Sequence, residues 1–295
     1  MEELINYLLL AVIVVFITGQ TILKKVYNKR RDTGVFLFGA MTAFFALTVF
    51  VAFNRTWSFR PEMLIPAIAF AIAYASATLF SVIAIKHGSL AITSLITSYS
   101  LLLPGFYGIF FLNEEVTWKL ILGIALLAVS LFLTNYEKSD KSLDPSKKNN
   151  VSWIWIVCVS IAFLGNGMCS TVQKAAGVSG FDRAEMNIVM IIALAMVSVT
   201  LFVFSALSAE RKKWKHCFKA GTVIAIISGF MNGAVNLLVI VLNPRMNASV
   251  MFPIISGGGL VLIFIYSIVV YRERFRISQW LGFGIGLISV VLLNV

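Results

Sequence analysis

The sequence AIKHGSLAITSLITSYS, residues 84–100, opens a segment of this chain that occurs a second time in altered form. Residues 84–135 align with residues 243–294 without a gap, at a constant offset of 159 positions. The pairs that an apolar composition would not match by chance are Tyr107 with Tyr266, Glu114 with Glu273, Gly123 with Gly282, Ser130 with Ser289 and Asn135 with Asn294. Such self-similarity predicts a chain built from two structurally related halves.

The composition predicts a membrane protein. Hydrophobic residues make up 59% of the 295 residues, only 13% are charged, and the mean hydropathy is +0.92, well outside the range of soluble domains. The lipid bilayer is therefore the expected partner. The net charge of +11 comes from basic residues in short loops, which indicates orientation in the membrane rather than nucleic-acid binding. All six tryptophans fall near span ends, where we expect interfacial anchors.

Ten apolar stretches are each long enough to cross about 30 Å of hydrocarbon as a helix. They run near residues 5–23, 34–53, 62–85, 88–112, 116–135, 151–173, 184–207, 219–241, 247–271 and 277–294. A polar linker at 136–150 separates a first repeat, 1–135, from a second, 151–295. Because five spans per half is an odd number, the sequence predicts an all-α polytopic membrane protein with ten transmembrane helices arranged as an inverted 5+5 repeat.

The distribution of basic residues predicts how the spans are oriented. Of the 24 Lys and Arg residues, 18 lie in the loops after spans 1, 3, 5, 7 and 9, and 6 lie in the loops after the other spans. Since cytoplasmic loops carry the excess of basic residues, these five loops are expected in the cytoplasm. Both termini are then expected outside the cell.

Several motifs in the two copies of the repeat resemble those of a known family. The stretch from Ala84 through Pro104 and the Asn113-Glu-Glu-Val-Thr-Trp turn resembles the EamA-type repeat of the drug/metabolite transporter superfamily, and so does the second copy with Tyr271-Arg-Glu-Arg-Phe and Gly282. The resemblance implies a ten-span carrier of small metabolites with spans 3, 4, 8 and 9 around a central cavity and spans 1, 2, 6 and 7 beside it. Family members have cytoplasmic termini, whereas the loop charges here predict the opposite.

Spans 4 and 9 each have a face of polar or small residues. In span 4 the face contains Ser89, Thr93, Thr97, Ser100, Pro104 and Tyr107, at steps of three or four residues. In span 9 the triple Gly257-Gly258-Gly259 aligns with Ser98-Tyr99-Ser100. Close helix contact is one explanation of three glycines, and a bend that exposes backbone carbonyls at a site is the other.

Polar side chains in other spans extend the candidate pathway, because a polar group within a bilayer needs a partner or a function. Hydrogen bonds between helices are the alternative to a substrate site. The predicted substrate-pathway residues are Tyr74, Thr97, Ser98, Tyr99, Ser100, Asn166, Asn232, Asn236, Ser256, Gly257, Gly258, Gly259 and Tyr266. Lys24 and Lys174, matched between the halves, either hold an anionic substrate group or reach the lipid headgroups.

Several chemistries are not supported by the sequence. All thirteen acidic residues lie at span ends or in loops. The small multidrug branch of the superfamily that the sequence resembles depends on a glutamate within span 1, so proton-coupled cation antiport of that type is disfavoured. No Gly-rich phosphate loop occurs. With two histidines and three scattered cysteines, we expect no metal site, no cofactor and no enzyme active site.

The function predicted from these features is secondary transport. A carrier with related halves exposes one site to either side of the membrane, and hydrogen-bonding side chains without a buried acid favour a small polar metabolite such as an amino acid or a nucleoside. Two alternatives stay open at this point. One is a broad-specificity exporter of drugs or toxic compounds, and the other is a non-transporting, lipid-handling membrane scaffold.

Overall fold

The computed structural model describes residues 2–29, 34–112, 118–135, 153–214, 221–242, 245, 248–272 and 275–294. The first half contains α1 (Glu2–Asn28), α2 (Val35–Phe53), α3 (Leu64–His87), α4 (Leu90–Ser98), α5 (Leu102–Leu112) and α6 (Trp118–Asn135). The second half contains α7 (Trp153–Val178), α8 (Arg183–Leu207), α9 (Thr222–Leu242), α10 (Ala248–Val269) and α11 (Ile277–Asn294). The predicted linker at 136–150 and the turn residues Glu114 and Glu273 lie outside the described residues.

Six of these helices are long and apolar enough to cross a bilayer. They are α1, α2, α3 with the short helix before it, α7, α8 and α9, of 19 to 27 residues each. Shorter apolar stretches lie in α6, α10 and α11. No strand occurs among the described residues. The chain is therefore an all-α fold with the helix lengths of a multi-pass membrane protein.

The predicted fourth span is not one continuous helix. A 3-10 turn at Tyr99–Leu101 separates α4 from α5, whereas the apolar stretch 88–112 predicted a single span. Pro104 explains the interruption: it has no backbone N–H to donate to the carbonyl of Ser100, and its ring crowds that carbonyl. The change from α-helix to 3-10 geometry thus includes Ser100, the residue whose carbonyl Pro104 leaves without its helical donor.

The two halves meet along α6 and α11 in a reciprocal way. The Ser130 hydroxyl donates to the carbonyl of Gly282 over 2.7 Å, and the Ser289 hydroxyl donates to the carbonyl of Gly123 over 2.7 Å. Ser130 matches Ser289 and Gly123 matches Gly282 in the sequence repeat, so each bond is the image of the other. Gly123 comes before Ser130 in α6, whereas its partner Ser289 comes after Gly282, the partner of Ser130, in α11. The two helices are therefore antiparallel.

Small residues bring the other long helices close together. Helix α2 packs against both α8 and α9, and α3 packs along α7. A side chain added at Gly229 or Gly233 of α9 would come within 2.8 Å of the carbonyls of Thr42 and Ala46 in α2. Backbones that approach this closely gain dispersion contact, which is the main attraction between helices in lipid.

A carboxylate from the second half caps a helix of the first. Glu210 accepts the backbone N–H groups of Val35 at 2.7 Å, Phe36 at 3.2 Å and Leu37 at 3.2 Å. These are three of the N–H groups that the first turn of α2 leaves without intrahelical acceptors, and the negative charge also suits the positive end of the helix dipole. The segment after α8 is thereby attached to the first turn of α2.

One tryptophan differs from the interfacial role expected for all six. Trp155 is buried, and its indole N–H donates to the Thr93 hydroxyl over 2.9 Å. Gly88 makes room for it, because an added side chain there would lie 2.2 Å from the indole nitrogen. Trp155 therefore joins α7 to α4 inside the protein, and the interfacial assignment is corrected for this residue.

Candidate functional site

A central cavity of about 350 Å³ lies between the helices of the two halves. Its walls come from α1, α3, α4, the 3-10 turn, α7, α9 and α10, which correspond to predicted spans 1, 3, 4, 6, 8 and 9. Spans 1 and 6 thus line the cavity together with the four spans that the resemblance implied. The volume falls within the range of roughly 300 to 1,000 Å³ that is common for small-molecule sites.

An asparagine at the centre of α9 organises one wall. Asn232 is ten residues from each end of this 21-residue helix. Its amide nitrogen donates to the Gln20 side-chain oxygen at 3.0 Å, and its oxygen accepts from the Tyr74 hydroxyl at 2.9 Å. Asn236 donates to the backbone carbonyl of Asn232 at 2.9 Å. Helices α1, α3 and α9 therefore share one hydrogen-bonded network on the cavity wall.

A second asparagine lies at the centre of α7, next to the break between α4 and α5. The Asn166 amide donates to the Ser100 hydroxyl at 2.8 Å, and the Asn166 side chain is exposed to the cavity. Gly167 allows this contact, since an added side chain there would lie 2.5 Å from the Ser100 carbonyl. A side-chain amide has both donors and an acceptor, so Asn166 can bind Ser100 and a ligand at once.

Lys24 brings a positive charge to the cavity. Its ammonium group donates to the Ser81 hydroxyl at 3.1 Å, and the residue lines the cavity together with Ser81, Thr21 and Thr78. It is the only charged residue in the lining among the described positions. Of the two explanations for this lysine, the structure favours an inward position over contact with lipid headgroups.

Lys174, the matched residue of the second half, has a different environment. Its ammonium group donates to the carbonyl of Pro104 at 3.4 Å, and the described cavity lining does not include it. Pro104 is the third residue of α5, so this bond joins α7 to the first turn of α5. The two lysines match in sequence and differ in role.

Most of the predicted pathway residues line the cavity. They are Tyr74, Thr97, Ser98, Ser100, Asn166, Asn232, Asn236 and Gly259. For the faces of α4 and α9 this follows from helical spacing, because side chains three or four residues apart lie on the same side of a helix.

Four of the predicted pathway residues do not line the described cavity. The Tyr99 hydroxyl donates to Ser130 at 3.0 Å, and its ring is packed in the core beside α10 and α11. Tyr266 packs edge-on against Tyr271, with ring centroids 5.6 Å apart. Gly257 faces Leu287 and Gly258 faces Val14. The side chain of Ser256 lies outside the described residues.

The glycine triple does not interrupt its helix. Helix α10 continues through Gly257, Gly258 and Gly259, and these glycines let side chains of α1 and α11 approach. Close helix contact therefore accounts for Gly257 and Gly258, while Gly259 also lines the cavity. The interruption occurs instead at the aligned residues of the first repeat.

Gln20 and Ser94 are polar cavity residues that the sequence did not single out. Gln20 lies one turn before Lys24 on α1, and this i, i+4 pairing of polar residues in an apolar helix was the available signal. Ser94 lines the cavity with 7% of its surface exposed, and its hydroxyl has no hydrogen-bond partner among the described residues. Nothing in the local sequence distinguishes Ser94 from the neighbouring hydroxyl residues of span 4.

Comparison with solved structures shows that this fold has been observed before. One solved structure, described as "Crystal structure of protein", matches with a TM-score of 0.55 over 95% of this chain and 97% of the other, at 10% sequence identity. No protein-family model and no curated protein matches the sequence. At this identity the similarity extends to the fold alone.

Proposed function

We propose that this protein is a secondary transporter of a small polar metabolite in the cell membrane. It has ten spans in an inverted 5+5 repeat and moves its substrate by alternating access through the central cavity. Amino acids and nucleosides are substrates of suitable size and polarity. The resemblance to EamA-type carriers is part of this proposal.

The observation that carries the proposal is the position and chemistry of the cavity. Asn166 and Asn232, at the centres of α7 and α9, lie on its wall, so the polar groups are at the depth where hydrocarbon would surround an ordinary helix. Polar residues at that depth are costly unless they have partners or a function. Interhelical bonds account for Asn232 with Gln20, while the cavity-exposed face of Asn166 is free to bind a solute.

The inverted arrangement is supported by the contacts between α6 and α11. A two-fold axis along the membrane normal would make equivalent helices parallel, whereas an axis in the membrane plane makes them antiparallel. The reciprocal bonds of Ser130 with Gly282 and Ser289 with Gly123 fit the second case. The excess of basic residues in the loops after spans 1, 3, 5, 7 and 9 supports a cytoplasmic position for these loops, with both termini outside.

Flux through reconstituted vesicles tests the transport function. Purified protein is reconstituted into lipid vesicles, and the vesicles are loaded with a pool of amino acids and nucleosides. Exchange of each labelled compound across the vesicle membrane is then measured. We expect exchange of at least one compound, reduced tenfold or more by Asn166→Ala, with melting temperature and yield retained. The matched control is Asn54→Ala, because Asn54 lies outside the helices and bonds only locally to the Thr56 carbonyl.

The same experiment separates the alternatives. A non-transporting scaffold would show no exchange of any compound, and Asn166→Ala would change only stability. A broad exporter would exchange chemically unrelated compounds at similar rates and protect cells from a panel of toxic compounds. A narrow carrier would discriminate among close analogues.

Thiol labelling tests the orientation. A cysteine substituted at Lys212, in the short 3-10 helix Ala209–Lys213, is expected to react with an impermeant reagent only after the cells are opened. A cysteine at Arg60, in the connection before α3, is the control and should react in intact cells. Labelling in the reverse pattern would place the basic loops outside.

A further inference from the structure

Lys24 is a cation in the cavity without an anion to accompany it. Among the described residues, its ammonium group hydrogen-bonds only to the neutral Ser81 hydroxyl, at 3.1 Å. No acidic residue lines the cavity in the described part of the chain. Lys24 lies at the end of the predicted span 5–23, and a cation that lines a cavity there without a counter-charge among the described residues is a candidate functional feature, since removal of an ammonium group from water is costly unless a partner compensates it.

The adjacent lysine, Lys25, has a structural role that Lys24 lacks. Lys25 donates to the backbone carbonyls of Ile85 at 3.3 Å and Gly88 at 3.2 Å, which end helix α3. A cation at these carbonyls suits the negative end of the helix dipole. Lys25 thus attaches α1 to α3, whereas Lys24, one residue earlier, turns into the cavity.

An unpartnered hydroxyl in the same cavity is a second and independent observation. Ser94 is 7% exposed, and its hydroxyl makes no hydrogen bond to a described residue. A buried polar group without a partner is uncommon in folded proteins, and each case calls for an explanation. The Ser94 oxygen is almost fully covered, so a ligand with acceptor oxygens would give it a partner only after a shift of the neighbouring side chains, whereas the same ligand can pair directly with Lys24 on the cavity wall.

We propose that the cavity binds a solute with a single anionic group of the carboxylate class, and that Lys24 is the residue that holds this group. The described cavity lining contains one lysine and no acidic residue, so the site can neutralise one negative charge. The amide side chains of Asn166 and Asn236 then bind the polar remainder of the solute. This assignment deepens the proposed function and rests on it for the solute being a transported substrate, while anion binding by Lys24 requires no transport.

A thiol placed in the cavity measures the charge of the site without knowledge of the substrate. In a background without native cysteines, Ser98→Cys supplies a reactive thiol on the cavity wall. Two methanethiosulfonate reagents of similar size are compared, one with an anionic sulfonate and one with a cationic trimethylammonium group. With Lys24 present we expect the sulfonate reagent to be favoured, and Lys24→Gln should lower this preference about tenfold or more, as expected for one charge within about 10 Å in a medium of intermediate polarity.

Two further variants keep this measurement interpretable. Lys24→Arg keeps the charge and should keep the preference for the sulfonate reagent. Lys25→Gln removes the same amount of charge from the adjacent residue and should change the preference much less, because the Lys25 ammonium lies at the carbonyls of Ile85 and Gly88 and Lys25 is not part of the described cavity lining. A preference that Lys24→Gln leaves unchanged, or that Lys25→Gln lowers equally, would overturn the proposal.

Matched ligand pairs test the chemical class. Thermal unfolding of purified protein is measured with lactate and lactamide, nicotinate and nicotinamide, and each of several amino acids with its primary amide, because a ligand of the folded state raises the melting temperature. Stabilisation by acids and not by their amides, lost in Lys24→Gln and kept in Lys25→Gln, is the expected result. Equal stabilisation by an amide would contradict the proposal, and stabilisation by inorganic phosphate alone would replace carboxylate with phosphate.

The two proposals fail in different ways. If vesicles exchange no compound while the reagent preference and its dependence on Lys24 hold, the transport function is wrong and the anion site stands. If vesicles exchange a compound at a rate that Lys24→Gln leaves unchanged, the transport function stands and the anion site is wrong.

Discussion

Ser130 and Gly282, 152 positions apart in the chain, are joined by a 2.7 Å hydrogen bond that Ser289 and Gly123 repeat in the opposite sense. In both bonds a serine hydroxyl of one helix reaches the backbone carbonyl of a glycine on the facing helix. The pairs occupy equivalent places in the two repeats. The seam between α6 and α11 is thus specified twice by the same residue types.

The two serines should differ in their contributions to stability. Ser289→Ala loses the bond to Gly123 and should cost about 1 kcal/mol. Ser130→Ala should cost more, about 2 kcal/mol, because Ser130 also accepts from the buried Tyr99 hydroxyl at 3.0 Å. Unfolding in detergent at increasing denaturant measures both. Tyr99→Phe combined with Ser130→Ala is the control, and equal losses for the two serine variants would contradict this account.

Gly167 should tolerate no side chain. A methyl group there would lie 2.1 Å from a Leu103 methyl carbon and 2.5 Å from the Ser100 carbonyl, so α7 would have to move away from the break. We expect Gly167→Ala to cost about 1 to 3 kcal/mol. Gly177→Ala, in the same helix with open space around it, should be neutral or stabilising by up to about 1 kcal/mol. Thermal unfolding of the two variants checks the contrast.

Replacement of Pro104 should separate stability from function. Pro104→Ala restores the N–H that a continuous helix donates to the Ser100 carbonyl, so the melting temperature should stay the same or rise. The 3-10 turn that positions Ser100 for its bond with Asn166 would then be lost, and exchange in vesicles should fall. Pro66→Ala, near the start of α3 and away from the described cavity lining, is the control. Undiminished exchange by Pro104→Ala would show that the turn is not needed.

The carboxylate of Glu210 should contribute measurably to folding. Glu210→Ala removes the acceptor of three N–H groups at the start of α2 and should cost about 2 kcal/mol. Glu210→Gln retains an acceptor oxygen without the charge, and we expect roughly half of that loss. Glu62, an exposed acid before α3, provides the control as Glu62→Gln. A loss of stability equal to that of Glu62→Gln would exclude the capping role.

The network at Asn232 should affect binding through the shape of the cavity. Tyr74→Phe removes one donor to Asn232 and should cost about 1 kcal/mol of stability, with a modest change in exchange. Asn232→Ala removes the contacts to both Gln20 and Tyr74 and leaves two buried polar groups unpaired, so the loss should be about 2 kcal/mol or more. Urea titration and vesicle exchange on the same preparations would reveal whether stability and flux fall together.

The polar residues of the cavity were the most predictable part of the site. Asn166, Asn232 and Asn236 occur in otherwise apolar helices, and the cost of a side-chain amide in hydrocarbon requires that they face the protein interior. The same reasoning does not separate a cavity position from a packed one. Tyr99 and Tyr266 were both predicted as pathway residues, yet both are packed against neighbouring helices.

The break in span 4 and the position of Lys24 were harder to predict. Pro104 is part of span 4, but the three consecutive glycines made span 9 the place where a bend was considered. In the structure, side chains of α1 and α11 fill the space beside these glycines. For Lys24, a small rotation of α1 decides between lipid headgroups and cavity. That rotation depends on the packing of α1 against α9 and α10, which local sequence does not encode.

The cap on α2 has a consequence for the synthesis of the protein. Glu210 follows Val35 by 175 residues, which at about 5 to 20 residues per second corresponds to roughly 9 to 35 s of translation. During that time water must solvate the first N–H groups of α2, so this end of the helix has to stay at an aqueous surface after insertion. The attachment of α2 to the second half is thus a late step in biogenesis, and chains that stop before residue 210 are expected to be cleared as incomplete.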